Sequence, residues 1–202
     1  MKSKKIFMII IFNLIIIISE IVFGVISNSY ALVSDALHNA GDVLSLVVTY
    51  FTLKHSLNAN MKAVLFNTIF LYLTMLYMIY EAIGNFFNPQ IIEPLYMISV
   101  GFIALIANGL SAYYLSTMQV SSCGHNHSHD HEHHQNMNIN SAYLHMLSDA
   151  LISVGVVVGG IFIYLYQIYL IDAILTIVFS LYILYHSYPL LKKSLVYLRS
   201  NN

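Results

Sequence analysis

Residues 6–26 read IFMIIIFNLIIIISEIVFGVI, from Ile6 to Ile26, behind the basic opening Met1-Lys2-Ser3-Lys4-Lys5. A basic head, an apolar run and the small-x-small pair Ser29 and Ala31 imitate a secretory signal peptide. The run is nevertheless long enough to cross a hydrocarbon core of about 30 Å, which takes about 20 helical residues. It also carries Glu20, a group foreign to a discarded signal. A first transmembrane helix is the better reading, and the rest of the chain repeats it.

Apolar stretches of membrane length lie near 6–27, 30–54, 63–87, 94–117, 138–166 and 168–190. Turn-forming residues separate them: Asn28-Ser29, the polar run from Lys54 to Asn60, Asn88-Pro89 with Pro94, and a very short joint near Gln167. Of the 202 residues 58% are hydrophobic and 8% charged, with a mean hydropathy of +0.73, more apolar surface than a water-soluble domain needs. The expected fold is an all-α membrane protein, six transmembrane helices in one bundle, with residues 1–202 forming a single transmembrane domain in contact with lipid. A net charge of −1 gives nucleic acid nothing to bind, and a single cysteine, Cys123, excludes an internal disulfide framework.

Charge bias sets the orientation. The eight basic residues are Lys2, Lys4, Lys5, Lys54, Lys62, Lys192, Lys193 and Arg199, and all fall on one side of a six-span arrangement. The positive-inside rule then puts both termini in the cytoplasm. On that side, residues 118–137 form a His-rich loop that includes His125, His127, His129, His131, His133 and His134, six of the ten histidines. Such a stretch cannot build a core and is expected to be disordered without metal. It is expected to bind transition metals in a loose, low-specificity mode.

Within the apolar spans, one pattern occurs twice: His38-Asn39-Ala40-Gly41-Asp42 and His145-Met146-Leu147-Ser148-Asp149. A spacing of four puts the imidazole and the carboxylate on one helix face, one turn apart. Two such helices offer two nitrogens and two oxygens, the tetrahedral donor set that suits zinc. If the two helices begin near Ser29 and Met137, each motif lies about 15 Å deep, near the middle of the bilayer. Ionisable groups there are costly and point to function. Neutral imidazoles bind metal only after losing their protons, so metal binding is coupled to proton release. The residues therefore predict a carrier of divalent metal with His38, Asp42, His145 and Asp149 as ligands and midplane alternating access. The metal is zinc, with cobalt, cadmium or nickel as secondary cargo, and it is substrate, not resident cofactor. Glu20 and Asp35 are candidates for a proton or ion path. For Glu20 an interfacial, solvated position weighs equally. For Asp35 a helix-start carboxylate is slightly preferred.

These residues resemble the cation diffusion facilitators of the zinc-efflux type. Leu32 to Asp42 is similar to that family's second-helix signature, and Ala142 to Gly155 to its fifth. Tyr80-Glu81-Ala82-Ile83 with Pro89 resembles the end of its third helix, Asn108 a fourth-helix Asn, and Asp172 the Asp that opens its sixth. The Lys-rich start without a eukaryotic targeting extension leads to the expectation of a bacterial inner membrane. The resemblance implies a homodimer that exports Zn²⁺ from the cytoplasm against protons, with the four His and Asp residues as transport ligands. It also implies that the usual soluble cytoplasmic domain is missing after Leu190-Leu191-Lys192-Lys193, leaving any dimer to rest on the membrane helices. The chain is not expected to be an enzyme. An intramembrane metallohydrolase would want three ligands, an open position and a general base, and no His-Glu-x-x-His occurs. A non-transporting zinc sensor or buffer is the other alternative.

Overall fold

The computed structural model describes the backbone of residues 2–52, 57–122 and 131–200, and most side chains within 11–44, 62–113 and 146–200. Helices fill the described residues, and no strand occurs among them. They are α1 (Lys2–Ser27), α2 (Tyr30–Thr52), α3 (Leu57–Phe87), α4 (Pro94–Ser122), α5 (His131–Tyr166) and α6 (Leu170–Ser200). Four stretches, Val64–Phe87, Pro94–Tyr113, Met146–Tyr166 and Leu170–Ser200, are long and apolar enough to cross a membrane, and Asn13–Ser27 is a shorter apolar helix.

At one end of the bundle the expected boundaries hold closely, because local chemistry stops the helices there. α1 ends in a Schellman motif, with Ser29 N donating to Gly24 O (2.9 Å) and Asn28 N to Val25 O (3.3 Å). Asn28 sits at φ 58°, a left-handed cap that Asn tolerates. Gln167, at φ 55°, closes α5 in the same way, its N donating to Ile163 O at 2.8 Å. The linker between α3 and α4 is tied to the first turn, with Glu93 N donating to Ser27 O (3.0 Å) and Asn28 Nδ2 to Ile91 O (3.2 Å). Pro94 then occupies the first position of α4, where a missing N–H costs nothing.

At the other end the helices outrun the apolar spans. α5 begins at His131, not near Met137, and α6 runs through Pro189 to Ser200, well past 190. Hydropathy marks where a chain leaves lipid, and a helix does not have to stop there. The backbone at 118–122 and 131–137 is accordingly helical, while His125, His127 and His129 lie outside the described residues.

The interior of the bundle combines an apolar core with buried polar groups, and its outside is apolar. Ile15, Ile18, Val25, Phe66, Leu73, Phe87, Leu151, Leu165 and Tyr185 face outward, as lipid requires. α4 packs on α5 and α3 on α6 most closely, and α2 packs against α1, α3, α5 and α6. Small residues permit the close approaches. A Cβ on Gly155 would meet the Phe179 ring at 2.6 Å, and one on Gly160 would meet Ile98 at 2.8 Å. These glycines are packing surfaces for α6 and α4 respectively.

Asp172 ties α2 to α6. It lies in the first turn of α6, yet its carboxylate reaches the N-terminus of α2. Oδ1 accepts from Ser29 Oγ (2.6 Å) and Ala31 N (3.2 Å), and Oδ2 accepts from Tyr30 N (2.8 Å). Ser29 Oγ in turn accepts from Leu32 N at 3.2 Å. One buried carboxylate thus satisfies donors that the first turn of α2 leaves open. Asp172→Ala should strand these donors and lower stability in detergent by about 2 kcal/mol or more, read as a fall in unfolding temperature. Unchanged unfolding would show that the cap carries no load.

Candidate metal centre

α2 brings His38 and Asp42 onto one face, and α5 brings Asp149 to meet them. His38 Nε2 lies 3.6 Å from Asp42 Oδ2 and 3.4 Å from Asp149 Oδ1. One donor atom from each of the three residues can be chosen so that all lie within 4.8 Å of one another. Two ligands held 2.0–2.1 Å from a tetrahedral ion sit about 3.3 Å apart. The two separations from His38 are close to that edge length, and the three donors stay within reach of one ion. His38 and Asp149 are buried, while the Asp42 side chain is 31% exposed.

His145 lies on α5 one turn before Asp149, and its side chain is outside the described residues. The depth argument placed the start of α5 near Met137. The helix starts earlier, so that start does not mark the membrane edge. The donors of α2 and α5 converge all the same.

The surroundings hold α2 in register. Asn67 of α3 donates Nδ2 to Gly41 O at 3.1 Å, next to Asp42. Ser34 of α2 meets Ser180 of α6 with 3.3 Å between hydroxyl oxygens. On α5, Ser153 Oγ lies 3.1 Å from Asp149 O and 3.3 Å from Asp35 Oδ2.

The structure also settles two open positions. Glu20 is fully buried, so the solvated interfacial reading is wrong. Asp35 is also fully buried and lies beyond the first turn of α2, facing Ser153 and Asn39, so it does not serve as a helix-start carboxylate. Glu81 accepts from Tyr30 OH at 3.4 Å, a packing contact between helices as expected. Asn67 makes an interhelical bond, whereas Asn108 Nδ2 is buried with no partner among the described residues. Sequence reasoning passed over Asn39 and Ser153. Asn39 follows Asp35 by four and Ser153 follows Asp149 by four, so the same helical spacing that paired the ligands would have found both.

Comparison with known proteins gives the family. Residues 6–199 match the family described as cation efflux transmembrane domain. The chain is 31% identical over 191 residues to the metal cation efflux system protein CzcD of Cupriavidus metallidurans, covering 89% of this chain and 56% of that one. It is 32% identical over 190 residues to the cadmium, cobalt and zinc/H(+)-K(+) antiporter of Bacillus subtilis, covering 88% and 57%. It is 28% identical to the zinc transporter ZitB of Pectobacterium atrosepticum, covering 96% and 60%. The chain therefore spans under two thirds of the length of these relatives. Apolar helices and bacterial relatives together make it a multi-pass integral protein of a bacterial plasma membrane. Polar helix faces turned inward, a His and Asp cluster where α2 meets α5, and a match along nearly the whole sequence lead to one conclusion: this chain belongs to the cation efflux transmembrane domain family.

Proposed function

We propose that the chain exports a divalent metal ion, zinc foremost, from the cytoplasm in exchange for protons. The observation that carries this is the spacing of His38, Asp42 and Asp149 near the edge length of a tetrahedral ion, in a largely buried position between two helices. His145 supplies the fourth donor from the next turn of α5, completing a set of two nitrogens and two oxygens. Two carboxylates cancel the charge of the ion, and imidazole favours zinc, with cobalt, cadmium or nickel behind it. A set that fills all four positions with protein groups leaves no site for an activated water, which supports a carrier over a hydrolase.

Exchange follows from the same atoms. Without metal, His38 Nε2 stands 3.6 Å from Asp42 and 3.4 Å from Asp149, where a proton on that nitrogen would be attracted by both carboxylates. A metal ion needs the nitrogen lone pair that the proton occupies, so each displaces the other. Alternating access then presents the site to each side in turn. The basic residues put both termini, and the loop of residues 118–137, in the cytoplasm. A homodimer is part of this reading.

Reconstitution with a zinc indicator trapped in the vesicles tests it. An imposed pH gradient should drive zinc flux, and collapsing the gradient should stop it. Tight zinc binding with no flux would favour the sensor or buffer reading. The loop histidines act as a concentrator, so deleting residues 123–134 should leave flux at saturating zinc unchanged. Loss of that flux would make the loop part of the pathway.

A further inference from the structure

We infer that Glu20 and Asp35, bridged by Asn39, form a second buried cation site beside the metal centre, holding the single positive charge that leaves when metal binds. The inference rests on the exchange reading above and adds a separate location for the exchanged charge.

Three helices build the site. Glu20 comes from α1, Asp35 and Asn39 from α2, and Ser153 from α5. Asn39 Nδ2 donates to Glu20 Oε2 at 3.3 Å and to Asp35 Oδ1 at 3.5 Å. Ser153 Oγ donates to the other oxygen of Asp35 at 3.3 Å. Both acids have no exposed surface. Among the described residues, the buried Glu20 Oε1 has no hydrogen-bond partner and no ion pair reaches Glu20. A buried carboxylate oxygen without a donor is expensive, and two buried carboxylates joined by one neutral amide demand a positive charge between them.

The donor set defines the occupant. It holds carboxylate and hydroxyl oxygens with no imidazole or thiol, unlike the metal centre. Oxygen alone suits a proton or a hard cation and disfavours zinc. The charge is therefore a proton or an alkali cation. Groups that feel this site are Asp149 on α5, and His38 and Asp42 on α2. A divalent ion at those three residues adds positive charge next to Asp35 and drives the single charge out. Ser153, 3.1 Å from Asp149 O and bonded to Asp35, joins the two sites through α5.

Zinc titration of the purified protein tests this without requiring transport. Calorimetry in two buffers of different ionisation heat counts protons released per zinc, and repeating it with potassium or choline chloride reads alkali competition. Glu20→Gln keeps shape and an acceptor for Asn39. It should bind zinc within about tenfold of the parent, since Glu20 is no ligand. It should release about one proton fewer per zinc if the occupant is a proton. If the occupant is potassium, the parent's zinc affinity should fall with potassium and the variant's should not. Equal proton release and equal potassium response in the two proteins would overturn the inference. So would a loss of zinc binding as deep as that of Asp149→Ala, which would make Glu20 a ligand. Should Glu20→Gln fail to fold, Asp35→Asn must show the same change in linkage. A parent protein that binds zinc with this linkage yet carries no flux would overturn the export reading alone.

Discussion

Asp149→Ala should abolish zinc flux driven by a pH gradient and weaken zinc binding more than a hundredfold. A four-ligand protein zinc site is worth about 10–16 kcal/mol, so one ligand carries about 3 kcal/mol, and each 1.4 kcal/mol is tenfold in affinity. Asp149 carries more than an average share. It is nearly fully buried, is the described donor from α5, and stands 3.4 Å from His38 Nε2. Its loss leaves one carboxylate against a divalent charge, and it parts the two helices whose meeting makes the site. Asp149→Asn separates the two effects, because it keeps the shape and removes the charge. It should bind zinc better than Asp149→Ala and still fail to carry it. Calorimetry reads the affinity and vesicle flux the transport. An Asp149→Ala protein that binds zinc as the parent does would remove the metal centre from the argument.

His38→Asp should change which metal is carried. The substitution replaces an imidazole nitrogen with a carboxylate oxygen at the centre of the cluster, within 3.6 Å of both other acids. Nitrogen-rich sets favour zinc, whereas oxygen sets admit manganese and magnesium. The ratio of zinc to manganese flux should fall by about tenfold or more, the size expected when one donor changes class. The variant should also lose the pH response that His38 gives. In the parent, acidification protonates the imidazole and weakens zinc binding. With an oxygen in that place, zinc affinity near neutral pH should respond less steeply. Competition between zinc and manganese in vesicles, repeated at two pH values, checks both. An unchanged metal ratio would mean that His38 is not a ligand.

Much of this was legible in one dimension. The helix ends at Ser27, Tyr30, Phe87, Pro94 and Tyr166 follow from Asn28, Pro89, Pro94 and Gln167, because capping and turn chemistry is local. The opposite ends, at Leu57, His131 and Ser200, were not legible. Hydropathy reports solvent, and a helix crosses from lipid to water without a break. The ligands on α2 and α5 were visible because a spacing of four is itself a contact on a helix.

Sequence alone determined that this chain lives in lipid, that it is helical throughout its spans, and that it carries two His and Asp pairs at helical spacing. Those properties arise from hydrophobic transfer and backbone periodicity, which act within a single helix. Which helix meets which required packing in three dimensions. Asp172 caps α2 instead of its own helix, Asn39 reaches across to Glu20 on α1, and Ser153 of α5 joins Asp35 to the backbone of Asp149. Buried polar groups in lipid must find partners, but their side chains choose among neighbours that only the assembled bundle provides.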